Sequence, residues 1–386
     1  MGTAAACAET FAGECDAVRT WPDTMSDALV ERVQERLTKG SGRAPTPAAS
    51  IRHMTQSTAR LQQMIMGFRT TQLLYVAATL GIADRLEAGP LSVAALAAEC
   101  GCRAPELYRI LRALSSLGIV HELADRHFEL ASMGEPLRTH AEGSLRAMAA
   151  LYGERWIWNA YGSLLHSVRT GEPAFDAVHG RRFFDYLQED AIAGRGFAAA
   201  MTSYSAQEIS AVSAAYDFSR FGTIADIGGG HGRLLAALLR ASRDARGILF
   251  DLPAVCAGAQ QTLNEAGVAD RVTVVSGDFF NAVPRGAQLY VMKSIIHDWD
   301  DDAALHILAN CRAALASDAR LLLIERLVGE PNSPDEAKLF DINMLAMLGG
   351  RERTADEYRA LLESAGLRMI RTHATASPHS LIEASR

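Results

Sequence analysis

Short apolar runs alternate with longer amphipathic ones over residues 223–386. Apolar runs of strand length predict seven strands, over residues 223–227, 246–251, 271–276, 287–293, 320–325, 368–374 and 380–384. Segments with helical periodicity, including 301–316 and 354–365, lie between them. Five strand–helix repeats followed by a final pair of strands are typical of a doubly wound, mostly parallel sheet. We therefore predict an α/β domain built on such a sheet over this part of the chain.

Residues 51–145 have a different pattern, in which apolar positions recur at helical spacing and the strands are short. The predicted elements are two helices and then two short strands, over residues 91–101, 104–118, 119–123 and 127–131. Two helices around a turn, followed by a hairpin, are typical of a winged helix. A DNA-reading helix needs a basic face, but Glu106 offsets Arg109 and Arg112 on the second helix. A role in dimerisation therefore fits this domain better than DNA binding.

Two further segments complete the chain. Residues 146–222 are helical in pattern and rich in aromatic residues, among them Tyr152, Trp156 and Phe197. Aromatic residues at helical spacing usually form a core, and they would also suit a pocket for a flat substrate. Residues 1–50 have mixed charge, many alanines and a linker-like stretch, which predicts a poorly ordered extension.

The composition of the chain narrows the classes of partner. Its 386 residues are 49% hydrophobic, which is enough for two domains with sizeable cores. A net charge of −7 argues against a nucleic acid or an anionic membrane surface as partner. There is no run of 18 apolar residues and no basic secretion signal at the start, so we expect a cytoplasmic protein. The six cysteines lack zinc spacing, so we predict free thiols and no bound metal.

A glycine-rich loop follows the first strand of the predicted sheet. The strand ends in Asp226, and glycines follow at Gly228, Gly230 and Gly232 before a helix begins. Glycines at such a turn let a ligand approach the backbone. The third glycine of a dinucleotide-binding loop is missing because position 233 is Arg233. A carboxylate two residues before the first glycine suits a cationic ligand, and S-adenosylmethionine (SAM) carries an ammonium, a sulfonium and no phosphate.

Two further acids follow the next two strands. Asp251 ends the second strand, where an acid can accept hydrogen bonds from both hydroxyls of a ribose. Asp278 follows the third strand and could accept from an adenine amino group, with Phe279 packing on the ring. Either acid could instead cap a helix or a turn. Their shared position at the carboxyl ends of parallel strands favours ligand binding.

The fourth strand ends in a run that contains two candidate functional residues. Lys293 and His297 lie where the strand gives way to a loop, followed by Asp298 and Trp299. A lone histidine often makes only a structural hydrogen bond. Because His297 lies at the carboxyl end of a strand and next to acids, a catalytic role is an equally good interpretation.

Taken together, these motifs resemble those of the SAM-dependent small-molecule O-methyltransferases. That family contains plant caffeate and flavonoid enzymes and bacterial polyketide-tailoring enzymes. The matching segments are residues 226–232, 251–253, 277–280, 293–299, 324–325 and 349–354. The resemblance runs from about residue 60 to the end of the chain. It implies a class I SAM-methyltransferase fold, with a winged-helix dimerisation domain before it, and a homodimer.

The resemblance also implies which residues bind the cofactor. Gly228 and Gly230 would line the methionine part of SAM, and Lys293 would contact it near the adenine. Ser205 and Met201 resemble positions near the transferred methyl group. The full set expected to bind the cofactor is Ser205, Asp226, Gly228, Gly230, Asp251, Leu252, Gly277, Asp278, Phe279, Phe280 and Lys293. The product would be S-adenosylhomocysteine (SAH).

The expected reaction is methyl transfer to a hydroxyl of an aromatic small molecule. By resemblance His297 is the general base, and Glu325 and Glu352 orient it. A phenol is mostly protonated at neutral pH, so a base with a pKa near 6.5 helps. The residues expected to line the acceptor pocket are Tyr152, Trp156, Phe197, Met201, Asp298, Met344, Met347 and Leu348.

Two departures from the plant members narrow the acceptor. Ser294 stands where those enzymes have a tryptophan, and the segment 344–349 is one residue shorter and purely apolar. Both changes favour a bulkier or more apolar acceptor than a phenylpropanoid. We therefore expect a bacterial enzyme that tailors natural products.

Three other functions fit parts of the pattern. The same fold could methylate carbon or nitrogen, and in the carbon case His297 and Asp298 would offer two metal ligands. A third histidine on a nearby loop is not evident, because His306 lies on the following helix. A regulator that senses SAM would use the winged helix on DNA and would not need His297. A relative redirected to decarboxylation or hydroxylation is disfavoured by the presence of His297, Glu325 and Glu352.

Overall fold

The computed structural model describes residues 57–386, apart from the side chains of Thr202 and residues 204–207. The chain divides into two compact units, Met1–Gly67 and Phe68–Arg386. The predicted amino-terminal extension lies outside the described residues. The fold described below is that of the second unit.

A small winged-helix domain comes first. Its helices are α1 (Gly67–Thr79), α2 (Ile82–Arg85), α3 (Val93–Cys100) and α4 (Ala104–Ser116), and its strands are β1 (Leu91–Ser92), β2 (Val120–Glu122) and β3 (His127–Leu130). Ser92 caps α3 by accepting a hydrogen bond from the backbone N–H of Ala95. Helix α4 buries Leu107, Leu111 and Leu114, which share one face. The predicted helix pair and hairpin are present, and β1 adds a third strand beside β3.

A block of helices follows. They are α5 (Arg146–Tyr152), α6 (Arg155–Gly162), α7 (Leu164–Thr170), α8 (Ala174–His179), α9 (Phe183–Glu189) and α10 (Ala191–Ala215). The Trp156 ring lies within about 6 Å of the rings of Phe175, Phe183 and Tyr186. Phe197 packs edge-on against Phe183 at 5.3 Å between ring centroids. The aromatic residues of this segment therefore form a core of their own.

A seven-stranded sheet forms the last and largest part. Its strands are β4 (Thr223–Ile227), β5 (Arg246–Asp251), β6 (Val272–Ser276), β7 (Leu289–Lys293), β8 (Arg320–Arg326), β9 (Arg368–Ala374) and β10 (His379–Ser385). They lie in the order β6-β5-β4-β7-β8-β10-β9, and only β10 runs against the others. Strands β5 and β6 extend the sheet on one side of β4, and the strands from β7 onwards extend it on the other side. Such folds bind ligands at this switch point between β4 and β7. The predicted fold class is confirmed.

Helices cover both faces of this sheet. They are α11 (Arg233–Ala241), α12 (Pro253–Cys256), α13 (Ala259–Glu265), α14 (Asp301–Ala314) and α16 (Ala355–Ser364). Helix α15 (Glu336–Met347) instead packs Ala346 and Met347 against the preceding block of helices. In β7, Leu289 and Val291 belong to one buried core, and Tyr290 and Met292 belong to the other. A strand buried on both faces is apolar throughout, which explains the continuous runs in the sequence. Across residues 57–386, every helix is too short or too polar to cross a lipid bilayer.

Candidate active site

The glycine loop after β4 has the backbone geometry that its sequence predicts. Gly228, Gly230 and Gly232 have φ angles of +68°, +60° and +80°, in the left-handed region that favours glycine. The second glycine, Gly229, was not singled out by the spacing. A Cβ there would lie 2.6 Å from Cγ of Asp226, so no larger residue fits. The loop therefore lies directly on the Asp226 side chain.

Asp226 is a buried acid with an available oxygen. Its side chain is only 2% exposed, and Oδ2 has no hydrogen-bond partner among the described residues. Burial, with the nearby charge of Asp251, raises its pKa to about 7. An unsatisfied buried acceptor under a glycine loop fits a ligand that brings a cation or a hydrogen-bond donor.

Asp251 braces the same loop from the end of β5. Its Oδ2 accepts the backbone N–H of Gly230 at 2.8 Å, and its Oδ1 accepts that of Leu252 at 2.7 Å. Burial raises the pKa of the carboxyl above its ordinary value. Each carboxylate oxygen keeps a second lone pair, so the group can also accept from the hydroxyls of a ligand.

The segment after β6 closes the other side of the loop. Asp278 accepts the backbone N–H of Phe280 at 2.9 Å, so it makes the local turn that was the alternative interpretation of this acid. The Phe280 ring lies edge-on to Trp299, at 4.7 Å between centroids. Asn310, which the sequence did not indicate, donates to the carbonyl oxygens of Phe279 and Phe280 at 2.9 and 2.8 Å. These bonds hold the two aromatic rings at the edge of the site.

Close approaches bring the loops of three strands together. A Cβ on Gly228 would lie 2.6 Å from Cδ1 of Ile295 and 3.7 Å from Cε1 of Phe279. A Cβ on Gly277 would lie 2.5 Å from the Phe250 ring. The glycine loop, the segment after β6 and the turn that leads to the histidine therefore meet at the carboxyl edge of the sheet.

His297 lies in a single turn of 3-10 helix after β7, at the centre of three carboxylates. Its Nδ1 is 2.7 Å from Oε1 of Glu352 and 3.8 Å from Oε2 of Glu325. Its Nε2 is 3.3 Å from Oδ1 of Asp298. The imidazole is 4% exposed. The sequence predicted a histidine between Glu325 and Glu352, and the structure adds Asp298 on the opposite ring nitrogen.

The charges around His297 decide its protonation. Burial alone would lower the pKa of His297, but Glu325, Asp298 and Glu352 outweigh it and raise the pKa to about 9. Burial raises the pKa of Glu325 to about 7 and that of Asp298 to about 6. The site therefore stabilises an imidazolium, the form that a base takes after it has accepted a proton.

Backbone contacts fix the turn that carries His297. Oε1 of Glu325 accepts the backbone N–H groups of Ile295 and Ile296 at 3.1 and 2.9 Å. A Cβ on Gly350 would lie 2.1 Å from the carbonyl oxygen of His297, so the segment that contains Glu352 lies directly against the turn. The backbone N–H of Glu352 donates to Asp341 on α15 at 2.8 Å.

Arg353 is a further residue at this turn that the sequence analysis missed. Its guanidinium donates to the carbonyl oxygens of Ile296 and Trp299, at 3.1 and 2.9 Å, on either side of the histidine. It also pairs with Asp301 at 2.8 Å and is fully buried. In the sequence it lies within the matching segment 349–354, but no pattern there indicated that its guanidinium binds backbone carbonyl oxygens.

Lys293 ends β7, and its ammonium lies 2.7 Å from Oε2 of Glu208 on α10. Glu208 is buried and was not predicted as part of the site. The side chain of Ser205, one turn before it, lies outside the described residues. Among the side chains that the structure describes, no group of three or more His, Cys, Asp or Glu is arranged to hold a metal ion.

Six of the eight residues predicted to line the acceptor pocket lie together. Tyr152, Trp156, Phe197, Met201, Met347 and Leu348 pack into a single apolar cluster, and Met344 is buried nearby on α15. The ring of Phe340, also on α15, lies 6.0 Å from the imidazole and almost parallel to it. A cavity of about 500 Å³ is lined by Asp298, Trp299 and Leu348 and also by the charged residues Glu172, Asp176 and Arg182. That volume is in the range of small-molecule sites.

Two family models match the chain. One, described as an O-methyltransferase domain, matches residues 161–368, and the other, an O-methyltransferase dimerisation domain, matches residues 62–137. The two matches together cover most of the chain that the structure describes.

Curated relatives are similar over most of their length. A phenazine O-methyltransferase from Lysobacter antibioticus is 43% identical over 84% of this chain and 95% of its own. A mitomycin biosynthesis 6-O-methyltransferase from Streptomyces lavendulae is 37% identical over 88% of this chain and 97% of its own. An 8-amino-8-demethylriboflavin N,N-dimethyltransferase from Streptomyces davaonensis is 36% identical over 84% of this chain and 94% of its own.

Solved structures show the same architecture. The crystal structure of the Lysobacter phenazine enzyme superposes with a TM-score of 0.82 at 42% identity, over 85% of this chain and 98% of that one. An O-methyltransferase from neocarzinostatin biosynthesis, solved with SAM and 2-hydroxy-5-methyl naphthoic acid, superposes with a TM-score of 0.73 at 33% identity. That match covers 82% of this chain and 95% of the other.

Proposed function

This chain belongs to the SAM-dependent O-methyltransferase family, and on that premise we propose that it methylates a hydroxyl of an aromatic natural-product intermediate, with His297 as general base. The observation that carries the proposal is the buried His297 with Glu352 at 2.7 Å, on a turn that packs against the glycine loop. We also propose that it acts as a homodimer, since the dimerisation domain of the family matches its amino-terminal part, and that it works in the cytoplasm.

The residues around the glycine loop fit SAM. Asp226 offers a buried acceptor for a cation, and Gly228 and Gly230 leave room for the methionine part. The ribose hydroxyls would donate hydrogen bonds to the remaining lone pairs of the Asp251 carboxylate, next to Leu252. The adenine would lie against the segment Gly277–Phe280, with Lys293 and Ser205 completing the set. When bound, SAM supplies an electrophilic methyl carbon and leaves as SAH.

His297 would remove the proton of the acceptor hydroxyl. With Nδ1 facing Glu352, the neutral imidazole carries its hydrogen on Nδ1 and accepts the incoming proton on Nε2. The imidazolium that results lies among Glu325, Glu352 and Asp298, which stabilise it. Positioning supplies the rest of the catalysis, since the acceptor oxygen only has to be held in line with the methyl carbon.

The apolar cluster around Trp156, Phe197, Met201 and Met347 would face an aromatic acceptor. The named acceptors of relatives are aromatic, including a phenazine and a naphthoic acid. A second candidate is N-methylation, because one relative of 36% identity is an N,N-dimethyltransferase. An arylamine needs less help from a base than a phenol, so the two candidates differ in their dependence on His297.

The test is methyl transfer from isotopically labelled SAM to matched pairs of phenols and arylamines on the same ring systems. We expect transfer to the phenols by the wild type and a loss of at least ~100-fold for His297→Asn, the scale of general base catalysis. A chelator should leave the rate unchanged. Transfer only to the amines would support the second candidate, and loss of transfer with the chelator would point to metal-dependent carbon methylation. Full activity of His297→Asn would refute the base.

A further inference from the structure

A buried ion cluster joins helix α10 to the carboxyl edge of the sheet. The helix contains only two charged residues, Arg195, which is exposed, and Glu208, which is 3% exposed. Oε2 of Glu208 lies 2.7 Å from Nζ of Lys293, and Oε1 lies 3.0 Å from Nδ1 of His379 and 3.6 Å from Nη2 of Arg326. One carboxylate therefore meets three basic side chains from three different strands.

All three partners lie at the same edge of the sheet. Lys293 is the last residue of β7 and Arg326 is the last of β8. His379 is the first residue of the antiparallel β10 and pairs with Arg326 across the ladder. This is the edge where the glycine loop and the His297 turn meet. The cluster is therefore continuous with the proposed active site.

One branch of the cluster leads to the turn before His297. Nε2 of His379 lies 3.1 Å from Oγ of Ser294. With Nδ1 facing the carboxylate of Glu208, the ring carries its hydrogen there and accepts the Ser294 hydroxyl on Nε2. Ser294 has φ of +53°, a strained conformation for a residue other than glycine. The hydrogen bond helps to hold this strained position, from which the chain turns towards His297.

A second branch leads to the imidazole itself. The Arg326 guanidinium lies 4.1 Å from the centroid of the Phe340 ring. The Phe340 ring in turn lies 6.0 Å from the His297 ring, at an angle of 19°. The same Arg326 guanidinium lies 3.6 Å from Glu208. Both branches thus connect Glu208 to the proposed base through direct contacts.

Helix α10 also carries residues of the acceptor side. Ala200, Phe197 and Met201 pack into the apolar cluster of the proposed pocket, whereas Val212 packs into the core on one face of the sheet. Glu208 lies between these two ends. Its ion pairs therefore hold the helix in place between the segment that packs in the proposed acceptor pocket and the segment that packs on the sheet.

We propose that Glu208 is a positioning residue that ties the acceptor-side helix to Lys293 and, through His379 and Ser294, to the turn of the general base. The proposal rests on the proposed function. Removal of the carboxylate would take the shared anion away from the partly buried Lys293 and the buried Arg326, and the helix and the turn would separate. Such a displacement affects the alignment of acceptor and methyl group more than the binding of the acceptor.

The test compares Glu208→Gln with Glu383→Gln in the full-length chain. Glu383 is equally buried and also pairs with arginines, Arg220 and Arg371, but it lies on β10 towards the opposite edge of the sheet. The measurements are the melting temperature, the affinity for SAH by calorimetry, and kcat and KM for each substrate. Both variants should melt at a lower temperature than the wild type.

Only Glu208→Gln should lose function at temperatures below its melting point. We expect kcat to fall about 10- to 100-fold, as for a displacement of about an ångström, with a smaller change in KM for the acceptor and weaker SAH binding. Glu208→Asp, which keeps the charge, should recover part of both losses, and it replaces Glu208→Gln if that variant does not fold. Unchanged kcat and SAH affinity in Glu208→Gln, or equal losses in Glu208→Gln and Glu383→Gln, would overturn the proposal. Because SAH binding needs no acceptor, it tests the role of Glu208 even if no methyl acceptor is found.

Discussion

The carboxylates around His297 should set the pH at which the enzyme becomes active, with Glu325 raising its pKa most and Glu352 making the closest contact. The pKa of His297 is about 9 against an ordinary 6.5, and this difference of about 2.5 corresponds to roughly 3 kcal/mol in favour of the imidazolium. Burial opposes the increase, so the three carboxylates supply all of it. Glu352 makes the shortest contact, at 2.7 Å. We therefore expect Glu352→Gln to lower the pKa of His297 by about one unit or more.

The sign of the effect on rate follows from which form is active. The base must be neutral, and a pKa near 9 leaves about one histidine in a hundred neutral at pH 7. The wild-type kcat/KM should therefore rise with pH towards a midpoint near 9. In Glu352→Gln the midpoint should move to lower pH, while the plateau falls because the imidazolium is less stabilised.

The assay is the initial rate of labelled methyl transfer between pH 6 and 10, with kcat/KM determined at each pH. Asp302→Asn is the matched control, since it removes one negative charge from an exposed position on the following helix. Its profile should coincide with that of the wild type. A midpoint that stays in place or rises in Glu352→Gln would refute the assignment of the raised pKa to this carboxylate.

Three further predictions concern stability and the backbone of the site. Asp226→Asn should raise the melting temperature at pH 8, because an ionised buried carboxylate is lost, and should weaken SAH binding measured by calorimetry; tighter binding would contradict the cation role. Arg353→Met should lower kcat with a smaller change in KM, and it should reduce the free energy of unfolding by at least ~2 kcal/mol. The matched variant at the exposed Arg359, Arg359→Met, should leave both kcat and the free energy of unfolding unchanged. Gly350→Ala should be strongly destabilising in thermal melts, but Gly196→Ala, with open space at its Cβ, should be neutral or stabilising by about 0.5–1 kcal/mol; similar melts would contradict the close approach.

The sheet was predictable because each central strand is buried on both faces. Residues such as Leu289 to Met292 are apolar without interruption, and turn signals separate them from the helices. All seven predicted strands are present, with ends that differ by at most two residues. The acids at the strand ends were also predictable, because parallel strands bring their carboxyl ends to one edge.

The missed residues depend on contacts between distant parts of the chain. Glu208 lies on the same helix as the predicted Met201 and Ser205, but no motif includes it, and its partners lie on three strands far along the chain. Arg353 and Asn310 donate hydrogen bonds to backbone carbonyl oxygens. Every residue has such an oxygen, so these contacts produce no recognisable pattern in the sequence. Asp278 shows that a correctly located residue can still have an ambiguous role. An acid at this position suits a turn as well as a ligand site, so the sequence alone could not decide between them.

The antiparallel strand β10 has a consequence for the order of folding. It lies between β8 and β9, so the last strand in the sequence is not an edge strand but is inserted beside the edge strand β9. His379 therefore joins Glu208 only after the whole chain from residue 208 to residue 379 has folded back on itself. Contacts of such high sequence separation carry a large entropic cost of loop closure, which slows their formation. A folding intermediate with β4 to β8 in place would lack the His379 contact of the cluster, and we expect it to gain catalytic competence only in the final step of folding.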